Sequence, residues 1–550
     1  MEKISCLINN QNYTFDKGIT LLGISKQVNT GLNNEPLVAY VDNVITELNY
    51  AVKSDCSIKF VDLNDRIGNR IYQKGLVFLL LSAINELYGK DYRIKLCYSI
   101  DKAISIKTYF ELDEDMLNRI KLKMQEMVSL NMPITKSLSL KKDAMKYFNT
   151  MLDDKKADTY NYSTSLYVPL YRLGNIYDYF YSVMPIQTSV FKSFDLKYID
   201  NRDFVLQFPV LSSNGTIPEF NNHPKIVEAF NKFYKYGKQL DIFTSSDINK
   251  KIASGKINDV IKLDETLANN NLLEIARDIY TKKDKIKVVL MAGPSSSGKT
   301  TTSKKLSLYL NSFGLNPRTI SIDDYFLPRE QTPKLPNGEY DFESLRALNV
   351  DLFNEHLENL LNHEEVYLPR FNFITGESEV CEKTFKLDEN DIIIIEGLHG
   401  LNDELTSKIS PENKYKLYIS PLTDLNIDNH NMVSTSDVRL LRRIVRDSRT
   451  RGYTAEKTIE KWGLVREGEE KYIFPFQDSP DKIYNTALTY EIGVLKLYAE
   501  PLLYEINPTS PYYEEARRLL NFLNMFLVVP TDAIPSDSIL REFIGNSYFE

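Results

Sequence analysis

The feature that most constrains this chain is a glycine-rich stretch, which reads Gly293, Pro294, Ser295, Ser296, Ser297, Gly298, Lys299 and Thr300. It fits the pattern G-x-x-x-x-G-K-[ST] and lies between an apolar run, 286–292, and a helix-like segment that begins at Thr301. Glycines there let successive backbone N–H groups curl around phosphate oxygens at the positive end of the helix. We therefore expect residues 293–301 to bind a nucleoside triphosphate, with Lys299 reaching the β- and γ-phosphates and the Thr300 hydroxyl binding a magnesium ion.

Two acidic residues follow apolar strands downstream of this loop. Residues 318–322 end at Asp323, and residues 391–395 end at Glu396. Ligands of open parallel sheets gather at the carboxyl ends of strands, so both acids are expected near the phosphates. Asp323 is a candidate base for an attacking hydroxyl, or a magnesium ligand, although an Asp here can also cap the next helix. Glu396 stands where a Walker-B carboxylate binds Mg²⁺, directly or through water.

A third element is a run of arginines within residues 439–451. Four of them recur at intervals that place them on one helix face, and two more follow: Arg439, Arg442, Arg443, Arg446, Arg449 and Arg451. Only Asp447 opposes them in that span. Because phosphoryl transfer needs cations on the migrating charge, we expect a lid that closes over the phosphates, with some of the arginines structural. A solvated basic face is the alternative.

Composition narrows the class of protein. The 550 residues suffice for three or four domains, and the net charge of −8 argues against a surface that coats nucleic acid. No histidine precedes His223, which excludes His-based metal or acid–base chemistry in the first 222 residues. Four scattered cysteines fit a reducing compartment. The longest apolar run, 75–84, predicts a buried helix, and no secretory signal is visible, so we expect a cytoplasmic protein without membrane spans.

The motifs of the C-terminal half occur in a specific order, namely GPSSSGKTT, SIDDYF, YDFESLRAL, LPRFNF, IIIIEG and VRLLRRIVRDSRTRG. In this order they resemble the uridine kinase and phosphoribulokinase family over about residues 286–500. The resemblance implies a P-loop kinase that moves the γ-phosphate of ATP, with Mg²⁺, onto a sugar hydroxyl, with uridine the leading acceptor. It makes Asp323 the base and Glu343 a ligand of the ribose hydroxyls. It also assigns the catalytic lid to three of the arginines, Arg446, Arg449 and Arg451.

The residues expected to recognise the base depart from that family. Uridine kinases typically place a Tyr and a His against the pyrimidine, whereas this chain has Phe371 and Gly376 at those positions. Phe371 and Phe373 can still stack on a flat base, and Tyr325 is also expected at the substrate. A lost polar contact weakens discrimination, so another nucleoside or a sugar alcohol remains the alternative acceptor.

The N-terminal half resembles a different family. Residues 1–62 look like a TGS domain, with VAYVDNVITEL at 38–48 the clearest match, and residues 63–220 are similar in layout to the next domain of threonyl-tRNA synthetases. Lys74 and Phe78 stand where the synthetase's editing helix carries histidines, so editing chemistry is not expected. The resemblance implies docking on RNA or protein, nucleotide sensing, or structural support. The rival to the kinase is therefore a P-loop regulatory protein that docks through this half and uses ATP as a switch.

The expected fold class is multidomain, with α/β and α+β parts. The C-terminal half predicts a P-loop NTPase-type parallel sheet sandwiched by helices, and the N-terminal half a β-grasp unit followed by a synthetase-like α+β unit. The predicted divisions are 1–62 for the TGS-like unit, 63–220 for the synthetase-like region, 221–284 for a helical connector, 285–506 for the kinase-like domain and 507–550 for a C-terminal helix and tail.

Overall fold

A computed structural model describes residues 2–213, 215–334, 338, 340–372 and 375–549, and the side chains of all of these except 212 and 380–383. The first unit is a five-stranded mixed sheet crossed by one short helix. Its order is β2-β1-β5-β3-β4, in which β1 runs parallel to β5. Its elements are β1 (Lys3–Ile8), β2 (Gln11–Asp16), α1 (Leu21–Ser25), β3 (Val38–Val41), β4 (Val44–Glu47) and β5 (Cys56–Val61). The likeness of this unit to TGS domains stays a prediction.

The second unit packs a long buried helix, α2, against two antiparallel sheets, β10-β9-β8 and β11-β12-β7-β6. The apolar run 75–84 lies inside α2 and is largely buried, as predicted. Among the described residues, no helix combines the length and apolarity that a membrane crossing requires. The elements are α2 (Arg66–Tyr88), β6 (Ile94–Ile100), β7 (Ala103–Thr108), α3 (Glu114–Ser129), β8 (Thr135–Leu140), α4 (Lys141–Thr150), α5 (Asp154–Thr159), β9 (Tyr167–Leu173), β10 (Ile176–Asp178), β11 (Asp195–Tyr198) and β12 (Asp203–Gln207).

The third unit is built on a parallel sheet of order β14-β17-β13-β18-β21 with helices packed against it, which agrees with the predicted P-loop fold. Its elements are α6 (Pro224–Leu240), α7 (Ser245–Ala253), α8 (Ile257–Thr281), β13 (Val288–Ala292), α9 (Lys299–Ser312), β14 (Asn316–Ser321), α10 (Val350–Leu361), β15 (Val366–Asn372), β16 (Glu377–Phe385), β17 (Asp391–Glu396), β18 (Lys414–Ser420), β19 (Asn426–Asp428), β20 (Asn431–Met432), α11 (Thr435–Arg451), α12 (Ala455–Tyr472), β21 (Lys482–Asn485), α13 (Glu491–Tyr504), α14 (Tyr513–Leu523) and α15 (Arg541–Ile544).

The hydrophobic core of this unit runs past both predicted boundaries. Val289 and Met291 of β13 share one buried cluster with Ile275 of α8, Leu519 of α14 and Phe543 of α15. The predicted connector therefore supplies core helices, and so does the predicted tail. Burial of their apolar faces against the sheet, at about 25 cal/mol per Å², accounts for this attachment.

The N-terminal half is joined to the kinase-like half through a short hairpin. The β19–β20 hairpin lies beside β6, where the Leu96 N–H donates to the Asn429 carbonyl at 2.9 Å and the Asn426 amide donates to the Leu96 carbonyl at 2.6 Å. His430 at the hairpin tip contacts Asp178 at 2.8 Å. These buried polar contacts fix the register between the two halves.

A buried ion-pair network adds a second junction. Arg518 of α14 donates two hydrogen bonds of 2.7 Å to Asp437 of α11 and two of 2.9 Å to Glu515. Arg70 of α2 donates two of 3.0 Å to Glu515. Burial acts to raise the pKa of Glu515, but Arg518 and Arg70 outweigh it and hold that pKa well below its usual range. The network therefore connects α2 to α11 and α14 through opposite charges that neutralise one another.

We expect Arg518→Met to lower the free energy of unfolding by about 3 kcal/mol, because it leaves two buried carboxylates with one guanidinium fewer. Urea unfolding followed by the fluorescence of Trp462, which is the sole tryptophan and is buried, measures this. Lys457→Met is the control, since it breaks an exposed pair with Glu460 and is expected to cost under about 1 kcal/mol. Equal unfolding midpoints for the two variants would contradict the prediction.

Candidate active site

The glycine-rich loop joins β13 to α9 in a shape that glycine makes possible. Gly298 has a φ of 89°, in the left-handed region. A β-carbon on Gly293 would lie 2.0 Å from the Ile419 carbonyl oxygen of β18. Both glycines of the motif are thus required by the backbone, one by its conformation and the other by the closeness of a neighbouring strand.

Buried arginines of α11 hold the loop in place. Arg439 donates to the Ser295 carbonyl at 3.0 Å and forms an ion pair with Glu469 of α12, which accepts the Ser295 N–H at 3.0 Å. Arg442 contacts the Ser296 carbonyl at 3.4 Å. Arg439 and Arg442 are only 1% and 0% exposed, so both are structural members of the predicted arginine face.

Lys299 folds back onto the loop. Its ammonium group donates to the carbonyls of Gly293 at 2.9 Å and Pro294 at 3.3 Å. Burial lowers the pKa of Lys299, and the carboxylates of Glu396 and Glu542 oppose that effect. The Lys299 ammonium group is thus held by the loop carbonyls, with the carboxylates of Glu396 and Glu542 nearby.

The C-terminal segment reaches the same place. Glu542 of α15 accepts the backbone N–H of Thr301 at 3.1 Å, within the first turn of α9. Arg449 donates to the carbonyls of Glu542 at 3.2 Å and Phe543 at 3.3 Å, which anchors the segment. A carboxylate is stabilised at a helix N-terminus for the same reason as a phosphate, so a phosphate that reached the Thr301 amide would have to displace Glu542.

Glu396 and Thr300 provide oxygen atoms that suit a magnesium ion. The strand register places Glu396 beside Met291 and Ser321, and the Thr300 hydroxyl lies 3.5 Å from Glu396 Oε1. Glu396 Oε2 is buried without a hydrogen-bond partner among the described residues, and burial raises the pKa of this carboxyl while Lys299 lowers it. Over the described residues no cluster of three or more His, Cys, Asp or Glu could hold a metal.

Asp323 lies in the helical turn 322–325 that directly follows β14, and the residue is exposed to solvent. The cap of the helical turn that follows is Ser321, whose hydroxyl accepts the Asp323 N–H at 3.3 Å, so the Asp323 carboxylate does not serve as the cap. Desolvation by the surrounding protein raises the pKa of Asp323, and the negative charge of Asp324 raises it further. The positive charges of Lys299 and Arg451 lower it. The carboxylate thus combines access with nearby positive charge.

The remaining arginines gather around one carboxylate. Asp447 is fully buried and pairs with Arg446 at 2.9 Å, Arg443 at 3.2 Å and Arg451 at 3.6 Å. Arg443 also donates to the Ser295 hydroxyl at 2.7 Å. Three guanidinium groups on one carboxylate leave an excess of positive charge beside the loop. The role of Arg446, Arg449 and Arg451 as a catalytic lid stays a prediction.

The predicted substrate residues differ in their placement. Tyr325 is 2% exposed, its ring lies 4.8 Å from that of Phe353, and its hydroxyl contacts His356 at 3.1 Å, so its side chain faces the core. Phe371 is also buried, with its ring 5.5 Å from that of Phe326. Phe373 lies outside the described residues.

The local structure explains why residue 376 is a glycine where the family resemblance leads one to expect a histidine. Gly376 adopts a φ of 78°, and a β-carbon there would lie 2.9 Å from Nε of Arg329. Any larger residue would be strained by the backbone and would meet the guanidinium. The space beside residue 376 is therefore occupied by Arg329 from the loop after β14.

Glu343 is half-buried and lies against α12. Its Cγ would be 3.0 Å from a β-carbon on Gly468, so glycine lets the helix approach. Burial and the nearby Glu469 raise the pKa of Glu343 to about 7, while Arg443 and Lys299 oppose the shift. His399 contacts the Glu343 carbonyl at 2.9 Å through Nε2, and burial lowers the pKa of His399 to about 4, so the neutral ring is the donor.

Glu469 and Glu542 are the residues that the sequence did not single out. Glu469 is one of five glutamates in α12 and adjoins Glu470, and Glu542 lies 241 positions from its partner Thr301. Neither belongs to a motif, so only the fold reveals their contacts with the loop.

Known proteins are similar to this chain in its C-terminal half. Residues 288–492 match the family described as Phosphoribulokinase / Uridine kinase family. The uridine kinase of Anoxybacillus flavithermus is 29% identical over 199 residues, which cover 36% of this chain and 84% of the relative. That of Bacillus pumilus is 29% identical over 197 residues, with 36% and 84% covered. The structure of a possible uridine kinase from Bacillus stearothermophilus aligns at 24% identity with a TM-score of 0.21, over 24% of this chain and 70% of that one.

The family match and the sequence relatives agree with the loop, the parallel sheet and the order of the motifs. They do not reach the N-terminal half, whose resemblances stay predictions. Residues 288–492 are therefore a P-loop kinase domain of the phosphoribulokinase and uridine kinase family.

Proposed function

We propose that this chain is an ATP-dependent kinase that phosphorylates a hydroxyl of a nucleoside, with uridine the leading acceptor. The observation that carries the proposal is Asp323, an accessible carboxylate at the end of β14 within the electrostatic reach of Lys299 and Arg451. A loop that only binds nucleotide has no need of such a base. The curated relatives, which are named uridine kinases, support the choice of acceptor.

The loop amides and Lys299 bind the triphosphate. Lys299 leaves the carbonyls of Gly293 and Pro294 and turns to the β- and γ-phosphates, and the Thr301 amide exchanges Glu542 for a phosphate oxygen. Arg443, which already touches the loop at Ser295, together with Arg446 and Arg451, stabilises the charge that develops on the transferring group.

A magnesium ion would be held by Thr300 and Glu396, whose unpartnered buried oxygen fits that role. Such an ion neutralises phosphate charge in this chemistry. Asp323 accepts the proton of the acceptor hydroxyl as the oxygen attacks the γ-phosphorus and the bond to the leaving ADP oxygen breaks.

The acceptor's sugar lies against Glu343, whose carboxylate accepts hydrogen bonds from the ribose hydroxyls. Its base lies on the side of the β15–β16 hairpin, where Arg329 fills the space beside Gly376. A guanidinium donates hydrogen bonds and accepts none, so it suits the carbonyl oxygens of a pyrimidine. Another nucleoside or sugar alcohol with acceptor oxygens at this position is the alternative substrate.

Asp323→Asn is expected to lower kcat by about 10²- to 10⁴-fold, because the amide cannot take the hydroxyl proton. ADP release is measured against nucleosides, pantothenate and pentose phosphates, and ATP affinity is measured separately and is expected to stay within a few-fold.

Asp324→Asn is the matched control and should retain most of its turnover, since the neighbouring carboxylate interacts instead with the backbone of Phe371. Loss of turnover in Asp324→Asn alone would transfer the base to that residue. ATP hydrolysis that is indifferent to every acceptor and stimulated by RNA would instead favour a regulatory protein that docks through the N-terminal half.

Glu542→Ala is expected to tighten ATP binding by about three- to tenfold, because it frees the Thr301 amide and removes a negative charge beside the phosphates. Adenosine, which lacks phosphates, should bind the variant and the parent protein equally. Equilibrium dialysis gives both affinities, with Glu505→Ala, a change at an exposed site, as the control. Unchanged ATP affinity would show that Glu542 does not compete with phosphate.

The affinity for the acceptor should rise with pH through about 7. Glu343 with a pKa of about 7 is ionised in about one tenth of molecules at pH 6 and about nine tenths at pH 8. The carboxylate accepts hydrogen bonds through both oxygens and more strongly than the neutral acid, in which one oxygen is a donor. The KM for the acceptor is therefore expected to fall across this range. Glu343→Gln should raise KM and flatten the profile, and an unchanged slope in this variant would refute the assignment.

A further inference from the structure

A cavity of about 280 Å³ lies at the junction of the two halves, away from the phosphate loop. One wall is the face of α2, and the others are the start of α11, the middle of α12 and α14. Aromatic side chains contribute to its lining, namely Phe180, Tyr181 and Trp462. The nucleotide and acceptor sites proposed above use none of these residues, so the cavity needs an explanation of its own.

The charged groups that line the cavity are unbalanced. Five are basic and two are acidic, the basic ones being Arg66, Arg70, Lys74, Arg466 and Arg518, and the acidic ones Asp437 and Glu470. Three of the basic side chains have carboxylate partners. Arg518 and Arg70 share Asp437 and Glu515, and Arg466 pairs with Glu469 at 3.0 Å and with Glu470 at 3.4 Å.

The other two basic side chains lack such partners. Lys74 lies 3.7 Å above the ring of Tyr181, and among the described residues no carboxylate forms an ion pair with it. Burial, with contributions from Arg518 and Arg70, lowers the pKa of Lys74 to about 7, although Asp437 and Glu515 oppose the shift. Arg66 lies against Gly463 of α12 and likewise has no carboxylate partner in the described part of the chain. Both side chains are half-buried, and partly desolvated cations without counter-charges cost free energy that a bound anion offsets.

The distance between the two cations indicates how long the ligand is. Arg66 and Lys74 are eight residues apart on α2, about 12 Å along the helix axis, so one small ion cannot satisfy both. A ligand with a phosphate at one end and hydrogen-bond acceptors at the other can do so. The aromatic side chains of the lining suit a flat ring, and the volume is close to the lower limit of about 300 Å³ for small-molecule pockets.

We infer that this cavity is a second binding site, and that it takes a nucleoside monophosphate. The phosphate is bound by Lys74, with the forked guanidinium groups of Arg70 and Arg518 behind it, and the base lies toward Trp462 and Arg66. Lys74 occupies a position where the synthetase-like editing helix was expected to carry a histidine. The buried Phe78 at the second such position does not line the cavity. The pocket therefore has a charge suited to binding an anion. The histidine that lines it, His430, comes from the β19–β20 hairpin and contacts Asp178 at 2.8 Å.

The cavity borders the helices that hold the phosphate loop. Asp437 of α11 lies two residues before Arg439, which donates to the Ser295 carbonyl. Glu469 of α12 accepts both from Arg466, which lines the cavity, and from the Ser295 N–H. A ligand that draws Arg466 toward its phosphate changes the charge balance at Glu469. This expectation rests on the kinase proposal. A ligand in the cavity should change the affinity of the loop for ATP, and ATP should change the affinity of the cavity for its ligand by the same factor.

The test uses the full chain with the kinase cleft disabled by Lys299→Ala and Glu343→Gln, so that it does not depend on catalysis. Uridine 5′-monophosphate is titrated while the fluorescence of Trp462 is followed, because this sole tryptophan lines the cavity. Quenching that saturates is expected. Uridine, which lacks the phosphate, and inorganic phosphate, which lacks the base, should each bind at least about tenfold more weakly.

Lys74→Met in the same background should weaken binding of the monophosphate by about tenfold or more, and Lys74→Arg, which keeps the charge, should stay within a few-fold. Lys90→Met, at an exposed lysine just beyond α2, is the matched control and should bind normally. Because Met replaces an unpaired cation beside an aromatic ring, Lys74→Met should unfold at the same urea concentration as its parent or higher. A monophosphate that leaves Trp462 fluorescence unchanged, or that binds Lys74→Met as tightly as the parent, would overturn the inference. Inactivity of the intact enzyme toward uridine would not affect it.

Discussion

The position of the phosphate loop depends on a buried ion pair, which the glycines of the loop cannot replace. Arg439 and Glu469 form a buried ion pair, and between them they bind the carbonyl and the N–H of Ser295. Taking such charges out of water is expensive, and removing one partner is more expensive still, so the pair specifies one arrangement of the loop relative to α11 and α12. The glycines permit the turn. The ion pair determines where the turn stands in relation to Asp323, Glu396 and the arginines.

The sequence predicts those parts of the site that are local in the chain. The G-x-x-x-x-G-K-T stretch, the acids at the ends of β14 and β17 and the arginine periodicity of α11 all follow from spacing and strand order, and the structure places them around one loop. The partners of the arginines could not be predicted from spacing and strand order. Arg439 and Arg442 find their carboxylates 30 and 49 residues away, at Glu469 and Glu491, and a pattern on one helix does not reveal a partner on another.

The domain boundaries could not be predicted for the same reason, since they depend on contacts between elements that are distant in the chain. The amphipathic patterns of α8 and α14 indicate that each helix buries one face, but the sequence does not say against which neighbour. In the structure both pack into the core beneath β13, so a division at residues 284 and 506 would cut through one hydrophobic cluster. The consequence reaches the site itself, since α15 follows α14 and delivers Glu542 to the Thr301 amide.

One carboxylate connects the phosphate loop with the junction cavity. Glu469 accepts from Arg439, from Arg466 and from the Ser295 N–H, so its single negative charge is shared by a group that pins the loop and a group that faces the cavity. Interactions among neighbours that share a partner are not additive, and a change in one alters the strength of the others. Coupling between the two sites thus needs no large movement of the domains. An anion bound in the cavity would need only to draw Arg466 away from Glu469, which also accepts the Ser295 N–H of the phosphate loop.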